Sequence, residues 1–197
     1  MSTETPLAAL DAADRHREIA ARFSAVVAAV TDWDAPAPVA GWSARDVVGH
    51  LAEWFPMMLS GGAEVTLAPL PSVAEDPAAT WDALDAQVQD ILDDPATAAL
   101  SHTGEHTGTM PVADVVDRFY TPDVFMHTWD LARAGGRPDR LDPDYAAELH
   151  QGLSSMEEMI RASGQFGEQQ PEPADADATD RLIAFIGRDP RWAPPAG

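Results

Sequence analysis

Cysteine, lysine and asparagine are absent from this 197-residue chain. Without cysteine there is no disulfide, no zinc–thiolate cluster and no cysteine nucleophile, so any sulfur chemistry must import its sulfur on a small molecule. Positive charge is also scarce: 12 basic residues, all arginine, stand against 33 acidic ones, for a formal net charge of −21. A surface this negative repels phosphate backbones and anionic bilayers, and no basic stripe offsets it locally, so neither nucleic acid nor membrane is expected as a partner. No apolar run approaches the roughly 18–20 residues of a membrane span. The first residues, MSTETPLAALDAADRHRE, have no charged-then-apolar leader, which makes the cytoplasm the expected location. Strand-like alternation, internal repeats, phosphate-binding glycine loops, nucleophile elbows and calcium loops are missing as well.

What is present is helical periodicity. Between Pro6 and Val30, Leu7, Leu10, Ile19, Phe23, Val26, Val27 and Val30 recur at three-to-four spacing, predicting a first amphipathic helix. After a proline-bearing loop, Ser43 reads as the N-cap of a second helix from Ala44 to about Met58, with Asp46 as its capping-box partner and Pro56 kinking or ending it. Trp81, Leu84, Val88, Ile91 and Leu92 predict a third, stopped before Pro95. Leu100–Met110 reads as a loop or short extended turn. Pro111 suits the first position of a fourth helix through Val115, Phe119, Asp123, His127 and Leu131 to Gly135-Gly136, bent at Pro122. Asp142-Pro143 caps a fifth through Ile160, and Thr179–Gly187 forms a short closing helix before an extended tail. The class is all-α: a four-helix bundle over residues 1–163, with 164–197 as an extension packing on it.

One stretch carries chemistry. In YTPDVFMHTWDLARAGG, Asp123 and His127 are four apart and project from one helix face, about 6 Å apart along the axis. A carboxylate and an imidazole so placed can share a divalent metal if a third ligand arrives from elsewhere. His50 is that candidate, since it shares a face of the second helix with Val47, Leu51 and Trp54 and so points inward. The plainer alternative makes His50 a hydrogen-bonded core histidine and Asp123–His127 a surface pair, and spacing alone favours it. His16, in register with Ile19 and Phe23, could approach the same cavity as a fourth ligand or proton carrier. Asp130 either orients a ligating imidazole or pairs with Arg133 or Arg45 at the surface. Trp54 could wall the pocket. His102 and His106 share the four-residue spacing, but Gly104 between them argues for a solvated loop, and His150 reads as a partly buried surface residue.

These motifs resemble a known family. Gly41-Trp42-Ser43, Arg45-Asp46-Val47-Val48 and His50-Leu51 look like the second-helix signature of the DinB-like superfamily. Asp123 through Ala134 resembles the fourth-helix motif of its actinobacterial branch related to mycothiol-dependent maleylpyruvate isomerase, and Asp180-Arg181-Leu182 with Gly187-Arg188-Asp189-Pro190 and Trp192 resembles the C-terminal signature of one subfamily. The resemblance implies a four-helix bundle with a divalent metal, zinc first and nickel second, on His50, Asp123 and His127. It further implies a transferase or isomerase using mycothiol or a similar low-molecular-weight thiol against a small electrophile. The alternative is a non-enzymatic metal- or ligand-binding bundle of a stress response. Because the superfamily includes dimers, a homodimer is among the expectations. Two departures separate this chain from the isomerase. Asp123 stands where the isomerase has glutamate, and the tail has no room for its additional C-terminal domain, so maleylpyruvate activity does not transfer.

Overall fold

Asp11, not Pro6, starts the first long helix. In the computed structural model, which describes residues 5–105, 107–137 and 141–195, a single 3-10 turn at Leu7–Ala9 precedes an extended Leu10. The Asp11 side chain then accepts from the Asp14 N–H and opens α1, Ala12–Val27. A carboxylate cap satisfies an amide that the helix itself leaves unpaired, which is why the boundary falls there. Ser43 and Asp46 form the expected capping box at the head of α2, Ala44–Gly62. Pro56 does not end α2, which runs on through it to bury Leu59. Asp76 caps α3, Pro77–Asp93, and Asp94 caps the one-turn α4, Pro95–Ala98.

The stretch expected as a loop or short extended turn, Leu100–Met110, forms a small antiparallel hairpin of β1, Ser101–Gly104, and β2, Gly108–Pro111, so Pro111 ends a strand and the next helix starts at Val112. Its anchor is polar: buried His102 donates its Nε2–H to the Met58 carbonyl at 3.1 Å. The approach is close enough that a Cβ on Gly62 would stand 2.2 Å from the His102 ring. His106 lies outside the described residues, so the His102/His106 reading has no structural counterpart here.

The predicted fourth helix is one rod in three parts: α5, Val112–Val115; a π-helical turn, Val116–Tyr120; and α6, Thr121–Ala134. Pro122 explains the wide turn. It has no N–H to donate, and its ring would collide with the carbonyl four residues back in a tight α-turn. In the bundle, α1 packs on α3 and α6, and α2 packs on the same two, so α1 and α2 face one another across the diagonal. Phe23 against Trp81 (4.3 Å between centroids) and Phe55 stacked on Tyr120 (4.0 Å) fill the space between.

The predicted fifth helix is broken at Ser155-Met156 into α7, Pro143–Ser154, and α8, Glu157–Ser163. A last helix, α9, Ala178–Phe185, carries a capping box of Asp177 and Asp180, packs on α7 and buries Leu182, Ile183 and Phe185. It ends in a Schellman motif: Gly187 takes φ +91°, its N–H reaches the Ala184 carbonyl, and the Arg188 N–H reaches that of Ile183. The tail then turns rather than extending, with the Trp192 N–H bonded to the Asp189 carbonyl and the indole half-buried against the core. Among the described residues no helix is long and apolar enough to cross a membrane.

Candidate metal centre

Two neighbouring helices bring the three predicted ligands together. The capping box fixes the start of α2, and seven residues beyond Ser43 the His50 ring faces α6, with Trp54 one turn further on the same face. On α6, Asp123 and His127 occupy the facing stripe, four apart as the sequence required. His50 Nε2 lies 3.1 Å from Asp123 Oδ2, and His127 Nε2 lies 3.5 Å from Asp123 Oδ1. One donor atom from each of His50, Asp123 and His127 falls within 4.8 Å of the other two, and this is the one such group among the described residues.

Each ligand is held from behind. Trp54 donates its indole N–H to Asp123 Oδ2 at 2.9 Å, so it anchors the carboxylate as well as walling the site. Trp42 packs against both imidazoles, 5.1 Å from His50 and 5.8 Å from His127. His127 Nδ1 lies 2.9 Å from Asp130 Oδ2, and Asp130 is fully buried. Of the two roles open to Asp130 in the sequence, the structure therefore shows the contact with the imidazole, and the surface pairing with Arg133 or Arg45 is not made. Arg188, from the turn after α9, donates to the same Asp130 oxygen at 3.2 Å.

That chain of contacts sets the protonation pattern. With the Asp130 carboxylate taking the Nδ1–H, His127 turns the lone pair of Nε2 toward Asp123. Burial pushes the Asp123 carboxyl up, but the nearby His127 and His50 and the Trp54 hydrogen bond outweigh it and hold the group below its usual value. Burial opposes ionisation of Asp130 too, and Arg188 together with His127 overcomes it. Both carboxylates are thus ionised at neutral pH, and with Nδ1 turned to Asp130 the 3.5 Å contact between His127 Nε2 and an Asp123 oxygen is one that either a shared proton or a cation can bridge.

The site is closed on the bundle side and open on the other. His127 is buried, whereas the His50 and Asp123 side chains keep 32% and 21% exposure, enough for a small ligand to reach them. From His50 a groove of about 760 Å³ runs outward past Trp42, Gly49, Glu53, Leu70 and Val73. Its one guanidinium, Arg45, is engaged by Asp34 and by the Val73 and Ala74 carbonyls.

The remaining histidines lie elsewhere. His16 is buried between α1, α3 and α6, with Nδ1 2.9 Å from Thr121 Oγ1 and Nε2 3.6 Å from Asp85. It is not in the group formed by His50, Asp123 and His127. His150 is half-buried, edge-on to Phe185 at 5.4 Å. Sequence reasoning missed Arg188 as a member of the site and Trp42 as its wall. Both lie inside motifs singled out for other reasons, and an arginine just past a helix-ending glycine was the available signal.

The comparisons agree with this architecture. Residues 16–132, spanning α1 to α6 and all three candidate ligands, match the family described as mycothiol maleylpyruvate isomerase N-terminal domain. Two Mycobacterium tuberculosis proteins, uncharacterized protein Rv0738 of strain H37Rv and uncharacterized protein MT0763 of strain CDC 1551, are each 30% identical over 191 residues, covering 89% of this chain and 97% of theirs. No solved structure matches significantly. A bundle with these motifs in this order, matched over more than half its length, belongs to the mycothiol maleylpyruvate isomerase N-terminal domain family.

Proposed function

We propose that the chain is a divalent-metal enzyme that transfers or isomerises a small electrophile with the help of a low-molecular-weight thiol, mycothiol or a close equivalent, in the cytoplasm. The observation that carries this reading is the His127–Asp123 contact. Asp130 and Arg188 fix the His127 ring with Nε2 against an Asp123 oxygen, and His50 Nε2 comes to the other oxygen of the same carboxylate, so two imidazole nitrogens and a carboxylate converge on one point where a cation can sit. The residues fit one. The Asp123 oxygens already stand 3.1 and 3.5 Å from the two imidazole nitrogens, near the roughly 3.4 Å edge of a tetrahedral ion with bonds of about 2.1 Å, and the two imidazoles, within 4.8 Å, would close by about an ångström. Two imidazoles and one carboxylate suit zinc first and nickel second. His50 and His127 would bind through Nε2 and Asp123 through an oxygen, with Trp54 steadying the second oxygen.

A cation held there supplies a depressed thiol pKa, and so a thiolate at neutral pH. The protein does the rest. His50 and Asp123 present the open side to the groove, Trp42 and His127 close the inner side against water, and the groove's volume is within the range that holds a small organic substrate. The absence of cysteine leaves the incoming thiol as the only sulfur nucleophile. The isomerase in the family's name has glutamate where this chain has Asp123, so its own substrate is not carried over.

The test has two steps. Protein purified from its own host is assayed for metal, then for thiol consumption with a panel of electrophiles, with and without that metal. Stoichiometric metal together with metal-dependent thiol consumption is the expected result. Stoichiometric metal with no consumption across the panel would make the chain a metal- or ligand-binding bundle instead. Asp123→Ala is expected to abolish metal retention, and unchanged retention would remove the ligand assignment.

A further inference from the structure

We propose that a second, smaller pocket, between the C-terminal end of α6 and the tail, binds a small carboxylate. It has a volume of about 220 Å³ and is lined by Arg133, Gly136, Arg137, Trp192, Ala193 and Pro194. Two of the chain's 12 basic residues therefore face one small space, and no acidic residue is among the described residues of its wall. In a protein of net charge −21, Arg15, Arg17, Arg45, Arg118, Arg161, Arg181 and Arg188 each meet a carboxylate, while among the described residues Arg133 and Arg137, like Arg191, meet none.

The local backbone builds this pair. α6 ends in a Schellman motif, with Gly136 at φ +68° bonded to the Arg133 carbonyl and the Arg137 N–H bonded to that of Ala132. The reversal at Gly136 carries Arg137 out of the helical path and into the wall that Arg133 also lines. Arg133 lies over the Trp129 ring, 4.9 Å from its centroid. A guanidinium stacked by its face keeps its in-plane N–H donors for something else. Its Nε is buried and has no hydrogen-bond partner, so a ligand in the pocket is met by the terminal Nη groups of the guanidinium.

The chemistry of the walls selects the ligand. Two guanidiniums favour an oxyanion with paired oxygens, and a carboxylate is planar like the fork that grips it. Trp192 adds an apolar wall, which suits the carbon side of an organic acid better than a bare inorganic ion. The volume lies below that of pockets for drug-sized ligands, which limits the guest to a small acid. This pocket shares no residue with the His50 groove, so the proposal stands apart from the metal chemistry.

The experiment uses the full chain, as purified, at constant ionic strength. Acetate, succinate and benzoate are titrated against it, with inorganic phosphate and chloride as comparison anions. Tryptophan emission and the Arg Nε–H resonances in a ¹⁵N correlation spectrum are followed. At least one carboxylate is expected to bind saturably and to move the Arg133 Nε–H resonance. Arg133→Gln and Arg137→Gln are each expected to weaken it about tenfold or more, the loss expected for a charge-assisted hydrogen bond. Arg137 is exposed, so its variant keeps the fold and the metal content that serve as controls. Phosphate or chloride binding as tightly as every carboxylate would overturn the proposal, as would carboxylate binding unchanged in Arg137→Gln.

Discussion

Asp130 touches no predicted ligand atom facing the groove, yet the candidate site turns on it. It is buried with His127 on one side and Arg188 on the other, both bonded to Oδ2. Asp130→Asn leaves the ring without an anionic acceptor at Nδ1 and strands a half-buried guanidinium. Metal affinity is expected to fall about 10–100-fold, read by competition with a chromogenic chelator, while Asp123→Ala loses the metal outright. The same variant should lose about 3 kcal/mol or more of stability in chemical denaturation, because one partner of a buried ion pair remains without the other.

The two depressed carboxyls also set an acid limit. Asp123 and Asp130 titrate below their unfolded values, so the stability they give is present above about pH 4 and is lost as pH falls through their lower folded values. Thermal melts of the metal-free chain should show the melting temperature dropping on the acid side of that point. Asp130→Asn should flatten the drop, and an unchanged acid profile in that variant would contradict the sign assigned here.

The capped helix starts at Ser43 and Asp142 proved more legible than helix middles. Ser43 with Asp46 and Asp142 before Pro143 name their caps in the sequence, because a capping bond spans three residues and needs no distant partner. The spacing of Asp123 and His127 was readable for the same reason. The π-turn at Val116–Tyr120 was not, since only Pro122 hinted at it and a proline is compatible with a bend, a break or a widened turn. The hairpin over residues 101–111 hid because its strands lack apolar alternation and rest on His102 against the end of α2. The Asp130–Arg188 link spans 58 residues, and no local pattern encodes a contact of that range.

At this scale the glycine after α9 makes a sharp prediction. A Cβ on Gly187 would meet the Gly167 backbone at 2.6 Å, and its φ of +91° disfavours any side chain. Gly187→Ala is expected to cost about 1–3 kcal/mol in urea melts. Because Arg188 leaves from the same turn, the variant should also loosen the metal, which a purely local defect would not do.

For the molecule as a whole, the ring of packed helices puts α1 opposite α2 and leaves the site between α2 and α6, neighbours in space though far apart in sequence. We read residues 164–197 as an extension seated on the bundle of 1–163 and not as a separate folding unit, since α9 buries Leu182, Ile183 and Phe185. A chain ending at residue 163 is expected to lose its cooperative melt. A sharp transition at the full-length temperature would show the bundle to be independent.

The turn at Gly187–Arg188 has a consequence for how the protein is made. Synthesis runs from the N-terminus, so His50, Asp123 and His127 leave the ribosome well before the arginine that braces their neighbour. If these three residues hold an ion as proposed, a nascent chain would grip it loosely until that last clasp emerges and closes. Under the proposed function, tight loading is therefore expected of the finished polypeptide alone, and a chain cut before Arg188 should give up its metal sooner in a chelator competition.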